Sequence, residues 1–279
     1  MKAVKIRQLP RLVDPSAIEK VNQEIVAFKD DGEALSKFID DRADEYRKLR
    51  EALWHLGSMK CWYSEAKLQE QQGQVEHFRP KKKVAKVKHP GYWWDAFDWT
   101  NLRLAHPTVN VRVTDYLTGK LAGKGTYFPL RDEAQRATDK AGEAGESVVL
   151  LDPTVIGDCR LLSFDLSSGR PVPRFKKEED EWKFQRADLS IDFYHLAEAT
   201  WTVGRKDLID ETSKLCDELI AVAKVVPRDI ERYELLVADL LERIDHLAEF
   251  STVAEQVLCE KGVLNDVVSH QAMGLPVPP

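Results

Sequence analysis

The chain has few cysteines and none of them are paired in sequence. Cys61, Cys159, Cys216 and Cys259 lie far apart, and none forms a CxxC pair. That removes the spacing signature of a disulfide framework or a two-CxxC zinc site. No apolar run reaches the length that crosses a bilayer. The first residues, MKAVKIRQLPRLVDPS, lack the apolar core and small-residue cleavage site of a secretory leader. A cytoplasmic setting without membrane attachment is the implied one. Positive charge is not in excess either. Lys and Arg number 41 against 47 Asp and Glu, a formal net charge of −6. The global balance therefore does not announce a nucleic-acid binder, although a local basic patch still can. No internal repeat is present.

What is present is an ordinary folding composition, 43% hydrophobic and 32% charged over 279 residues. This suffices for one large domain or two small ones. Three zones follow. Residues 1–57 form an N-terminal helical segment: apolar residues recur at three- and four-residue spacing across 15–57, Pro15 suits a helix start, Gly57 a stop, and Gly32 a junction. Residues 58–175 gather Trp, Tyr, Pro and Gly and predict short strands and turns, with a short helix near Asn110. Within them, RDEAQRATDKAGEAGE (131–146) reads as a helical turn with a mobile loop, and SVVLLDP (147–153) as a buried strand. Residues 176–279 return to helical periodicity, continuous over 190–226 and again over 227–262, with Pro227 at a start, Gly262 at an end and GLPVPP as an extended tail. The implied fold class is α+β, mostly α.

The densest positive charge directly follows an acid and a histidine, in VEHFRPKKK (75–83). His77 can serve as a general base near neutral pH. Glu76 can hold a divalent cation. Arg79 and Lys81 suit phosphate contacts, whereas Lys82, Lys83, Lys86 and Lys88 fit either phosphate contacts or a solvated edge. Farther on come Asn101 in DWTNLRL, Asn110 in HPTVN, and Lys124 between glycines in GKGTYFPL, where backbone could approach a phosphate. Phosphodiester hydrolysis needs such a set: a base, cations and rigid amides. Each member also has a structural counterpart, with Asn110 as a helix cap, Glu76 as a strand acid and the lysines as a solvated turn. Tyr92, Trp93, Trp94, Phe97 and Trp99 read as core packing, with base stacking as the other use.

The strings KCWYSEAK (60–67), VEHFRPK (75–81), GYWWDAFDWTNLRL (91–104), VN (109–110), KGTYFPL (124–130) and LLDPT (150–154) occur in this order. The series resembles the HNH endonuclease family, in the branch found in retron and Septu anti-phage defence systems. The resemblance implies a ββα-metal core in 58–175 with helical flanks. It implies His77 as general base, Asn101 as the residue shaping the loop, and Glu76 and Asn110 as protein ligands of one Mg²⁺ or Mn²⁺. Arg79, Lys81 and Lys124 would contact nucleic acid, DNA in the first place. An ABC-like or AAA-type ATPase partner, docking on the helices of 176–279, is implied as well; homo-oligomerisation stays open. RNA as substrate, or a nuclease-like subunit that binds without cutting, are the alternatives. Many relatives carry a zinc held by two CxxC pairs. Here those positions leave Cys61 and His106, and a closed structural site wants about four ligands, so structural zinc is not expected. In a regular strand Glu76 and His77 face opposite ways, so both serve one site only where the strand ends or bulges.

Overall fold

The N-terminal helical zone is segmented by its own caps. The computed structural model describes residues 1–114, 119, 121–225 and 229–272; Pro227 and the GLPVPP tail lie outside them. Helix α1 (Ser16–Glu24) runs into a 3-10 turn. The Asp31 carboxylate then accepts the backbone N–H groups of Glu33 and Ala34 and starts α2 (Gly32–Asp41). Gly32 is thus a junction, as its sequence context predicts, because Asp31 satisfies two donors that a helix start leaves unpaired. Helices α3 (Ala43–Arg47) and α4 (Arg50–Leu56) follow, and α4 stops at Gly57. Leu35 and Ile39, one turn apart, are buried, as are Tyr46 and Leu53.

Strand β1 (Gln74–His77) pairs antiparallel with β2 (Leu102–Ala105), His77 lying opposite Leu102 and Glu76 opposite Arg103. Helix α5 (Pro107–Asn110) follows directly; His106 caps it by accepting the Thr108 N–H at Nδ1, 3.2 Å, with Pro107 at the first position. The local order is strand, strand, helix, and the short helix lies where the sequence places it. A smaller pair, β3 (Val113–Thr114) with β4 (Leu121–Ala122), and helix α6 (Ile156–Cys159) complete this region. All four residues of β2 are buried. Arg103 can be among them because Asp152 grips its guanidinium at 2.8 and 2.6 Å, while Nη1 donates to the carbonyls of Thr100 and Leu102. Burial alone would raise the Asp152 carboxyl; the Arg103 guanidinium holds it below its ordinary value. Trp62, Tyr63, Tyr92, Trp94 and Phe97 are buried around the hairpin, so most of the aromatic cluster packs the core.

One expectation fails here and a second holds only in part. SVVLLDP is not a strand: it makes a single bridge, Leu130 to Val148. Beside that bridge the Val149 N–H donates to the Pro129 carbonyl and the Arg131 N–H to the Ser147 carbonyl, and the rest of the buried backbone is met by side chains of α7 (Glu181–Phe193) and just beyond. Arg186 donates to the Val148 carbonyl at 3.0 Å, the Leu151 N–H donates to Ser190 Oγ at 2.9 Å, and the Tyr194 hydroxyl donates to the Leu151 carbonyl at 2.9 Å. With those groups paired, no ladder partner is needed. Residues 131–146 keep the expected helical turn, as 3-10 turns at Glu133–Gln135 and Ala141–Gly145, but the segment is also tied to the core. Glu146 accepts the Tyr92 hydroxyl at 2.6 Å and the Ala137 N–H at 2.8 Å, and it pairs with Arg79.

The long helical periods are broken. α7 and α8 (Ala199–Lys224) are separated by a turn with His195 at φ +51°, and α9 (Ile230–Ile244) and α10 (Ser251–Glu260) by one with Phe250 at φ +51°. A single left-handed residue redirects the chain without disturbing the apolar spacing on either side. Helix α11 (Leu264–Ala272) follows. The chain divides into two compact units, Met1–Leu161 with Pro173–Leu196, and Leu162–Val172 with the chain from Ala197 onward. In the second, the hairpin of β5 (Leu162–Phe164) and β6 (Pro171–Pro173) is tied to α10 by the Gln256 amide, which pairs with both backbone groups of Phe164 at 3.0 and 2.9 Å. Leu236, Val237 and Leu240 of α9 are buried, whereas Ile230 and Leu235 are exposed. The fold is α+β and mostly α. Among the described residues no helix is long and apolar enough to cross a membrane.

Removing Arg103 leaves a buried carboxylate without its partner. Arg103→Met is therefore expected to lower unfolding free energy by about 3–5 kcal/mol. Urea denaturation followed by tryptophan fluorescence measures it, and an unchanged midpoint would show that the Arg103–Asp152 pair is dispensable.

Candidate functional site

β1 ends at His77, and its last two side chains part company as strand geometry requires. The Glu76 carboxylate, 3% exposed, accepts the Tyr63 hydroxyl at 2.7 Å on Oε2 and pairs with the Lys124 ammonium on Oε1. The His77 ring turns the other way. Its Nε2 lies 2.9 Å from the Ala96 carbonyl oxygen, and the Tyr46 ring meets it edge-on at 4.8 Å. A carbonyl oxygen only accepts, so Nε2 carries the proton and Nδ1 keeps a lone pair. The Lys81 ammonium donates to that lone pair at 3.3 Å. Burial lowers the His77 pKa well below its ordinary value, and the Lys81 and Lys124 ammonium groups push the same way against the Ala96 hydrogen bond. His77 is thus neutral at physiological pH. Burial also lowers Lys81 to about 8, and its ammonium lies 4.9 Å from the Tyr46 ring centroid.

Because the strand stops at His77, both residues still line one cleft of about 310 Å³, together with Val75, Pro80, Lys81, Lys82, Asn110, Gly125 and Thr126. Asn101 stands behind it as a clamp. Its Oδ1 accepts the Arg79 N–H at 2.8 Å, and its Nδ2 donates to the carbonyls of Arg79 and Asp95 at 3.0 and 3.2 Å. One amide thereby fixes the segment leading to Lys81 against the segment carrying Ala96, which orients His77. Asn110 donates through Nδ2 to Gln74 Oε1 at 2.9 Å, and its carbonyl accepts the Gly125 N–H at 2.8 Å. Gly91, at φ +105°, is pressed against the Lys82 carbonyl where a Cβ would collide. That close approach lets the Tyr92 N–H reach the Pro80 carbonyl at 2.8 Å.

The basic residues divide. Lys81 faces the cleft. Arg79 is turned away from it and pairs with Glu146 and Glu143, its guanidinium lying between the Tyr92 and Phe128 rings at 5.2 and 5.1 Å. Lys124, expected at a phosphate, is 1% exposed and also donates to the His77 carbonyl at 2.8 Å. Lys82 pairs with Asp40 at 2.6 Å, whereas Lys83, Lys86 and Lys88 are exposed. Tyr46, Tyr63 and Gln74 touch the site residues but had no site role in the sequence reading, since a buried tyrosine looks like core and a lone glutamine like a surface residue. Cys61 is buried and its Sγ accepts the His106 N–H at 3.3 Å.

Among the described residues no three His, Cys, Asp or Glu side chains are grouped to hold a metal ion. As the side chains stand, the set at Glu76 does not fit a resident divalent ion. Both carboxylate oxygens are engaged and an ammonium already lies against one of them.

Asp95 precedes Ala96 and is 1% exposed. Its Oδ1 takes the Lys140 ammonium at 2.6 Å, and its Oδ2 accepts no hydrogen bond. Burial, reinforced by the neighbouring Glu143 carboxylate, pushes its pKa up to about 8. A carboxyl raised in the folded state adds stability at low pH that is lost as pH rises through the folded value. Asp95→Asn is therefore expected to gain on the wild type as pH rises from roughly 4 to 8 and to level off above that, read as the difference in urea midpoints. Parallel midpoint curves would show that Asp95 stays ionised throughout.

No family model matches the chain. The chain is similar to "Septu protein PtuB" of Bacillus mycoides (strain KBAB4), at 24% identity over 271 residues, which cover 92% of this chain and 80% of that protein. The likeness therefore takes in the hairpin, its cleft and helical sequence on both sides.

Proposed function

We propose that the chain is an HNH-type nuclease that hydrolyses phosphodiester bonds in DNA, as a component of a Septu-like anti-phage defence system. The observation that carries this reading is the cleft at the end of β1. There a neutral histidine of defined tautomer shares one space with Lys81 and Asn110, and Asn101 clamps the loops behind it. The strand–strand–helix order of β1, β2 and α5 and the similarity to a Septu protein support it.

The chemistry asked of these residues is modest. A phosphate entering the cleft competes with Nδ1 for the Lys81 ammonium, which is a better partner for an anion than for a neutral ring. Nδ1 then takes a proton from water as the water oxygen attacks phosphorus, and the P–O bond to the departing strand end breaks, its oxygen taking a proton from solvent. The Ala96 carbonyl holds the imidazolium that forms. The Mg²⁺ or Mn²⁺ that the HNH resemblance implies would have to take Glu76 from Lys124. That same pair favours a second reading, a nuclease-like subunit that binds nucleic acid without cutting. An ATPase partner would meet the exposed apolar residues of the second unit, such as Ile230 and Leu235 of α9.

Plasmid, single-stranded DNA and RNA are the substrates to compare, with Mg²⁺, with Mn²⁺ and with chelator, in the presence and absence of the co-encoded ATPase. His77→Ala should abolish cleavage with little change in urea midpoint; full cleavage by that variant would remove His77 from the base role. Asn101→Ala should cost about 100-fold in rate through lost positioning, and a rate equal to wild type would show that the clamp does not serve the site. Nucleic-acid binding that persists in chelator with no cleavage of any substrate would favour the second reading.

A further inference from the structure

We infer that Lys124 is the resident cation of the Glu76 position, so that the free chain binds divalent ions weakly there and loss of the Lys124 charge opens the site to them. The inference rests on the nuclease reading only for the idea that an ion belongs beside Glu76.

Lys124 is not a surface lysine that happens to reach an acid. Its backbone N–H donates to the Val109 carbonyl at 2.7 Å, and the next N–H, of Gly125, donates to the Asn110 carbonyl at 2.8 Å. Gly123 before it sits at φ +94°, packed under the Val111 carbonyl where no side chain fits. The stem is therefore anchored on α5, the helix that ends in Asn110. The ammonium lies fully buried between the Glu76 carboxylate and the His77 carbonyl. The Tyr63 hydroxyl holds the second carboxylate oxygen.

Charge then decides. Glu76 and Lys124 together are neutral. A divalent ion added at Glu76 would lie beside Lys124 with Lys81 nearby, and the local carboxylate is a single one. Like charges in a water-poor site repel strongly. An ion and the Lys124 ammonium are thus alternatives for one carboxylate. Replacing Lys124 by a neutral residue leaves Glu76 and the Asn110 amide lining a cleft that now lacks its own cation.

Mn²⁺ binding to the purified full chain, followed by the loss of the free-ion EPR signal, tests this without any cleavage assay. Lys124→Gln should bind Mn²⁺ about 10–100-fold more tightly than wild type, and the gain should vanish in Lys124→Gln/Glu76→Gln. Lys124→Arg, which keeps the charge, should bind as weakly as wild type. A folded Lys124→Gln that binds no better overturns the inference. If Lys124→Gln does not fold, the wild type and the neutral double variant still decide. Equal affinities support the inference, and tighter binding by wild type, by about ten-fold or more, overturns it. His77→Ala inactivity bears on the nuclease reading alone, so the two can fail separately.

Discussion

The Glu76 carboxylate is buried on a four-residue strand, and a buried charge must be paired. Much of the site follows from how that demand is met. Lys124 is drawn inward, and with it the KGTYFPL segment. The backbone of that segment then pairs with α5 at Val109 and Asn110, which sets Asn110 at the cleft. With Glu76 committed to one face, strand alternation commits His77 to the other. There the Ala96 carbonyl selects its tautomer. The pairing of one acid thus helps to place the base, the amide and the space between them.

The same constraint recurs through the first unit. Arg103 grips Asp152, Arg186 grips Asp158, and Arg79 is held by Glu146 and Glu143. These pairs do work that a larger sheet would give to backbone ladders. With strands of two to four residues here, buried carbonyls of 148–151 find side-chain donors instead. Such pairs add little net stability over well-packed apolar residues, but losing one partner is costly. They make the region specific in arrangement and sensitive to single substitutions.

For the proposed chemistry, the consequence is a histidine and a carboxylate each met by a lysine. Lys81 lies on the lone pair of His77 and Lys124 on Glu76. The two contacts differ in kind. Lys81 is half-buried and at 3.3 Å from a neutral ring, a weak hold that an arriving phosphate can break. Lys124 is enclosed and bonded to a full charge. The cleft is therefore readily opened on the His77 side and locked on the Glu76 side.

A good part of this was legible in the chain itself. The helical zones, the junction at Gly32, the short helix at Asn110 and the α+β class rest on local periodicity and capping, which act over a few residues. The grouping of Glu76, His77, Lys81 and Asn110 in one cleft also agrees with the ordered motifs. What the sequence could not state was the partner of each charge. Glu76 meets Lys124 at a separation of 48 residues and Arg79 meets Glu146 at 67. Sequence alone determines that an acid, a base and a run of cations are present. Only the tertiary structure decides which cations face the cleft and which are spent neutralising buried acids, because the cost of burying a charge is set by the chain that folds over it.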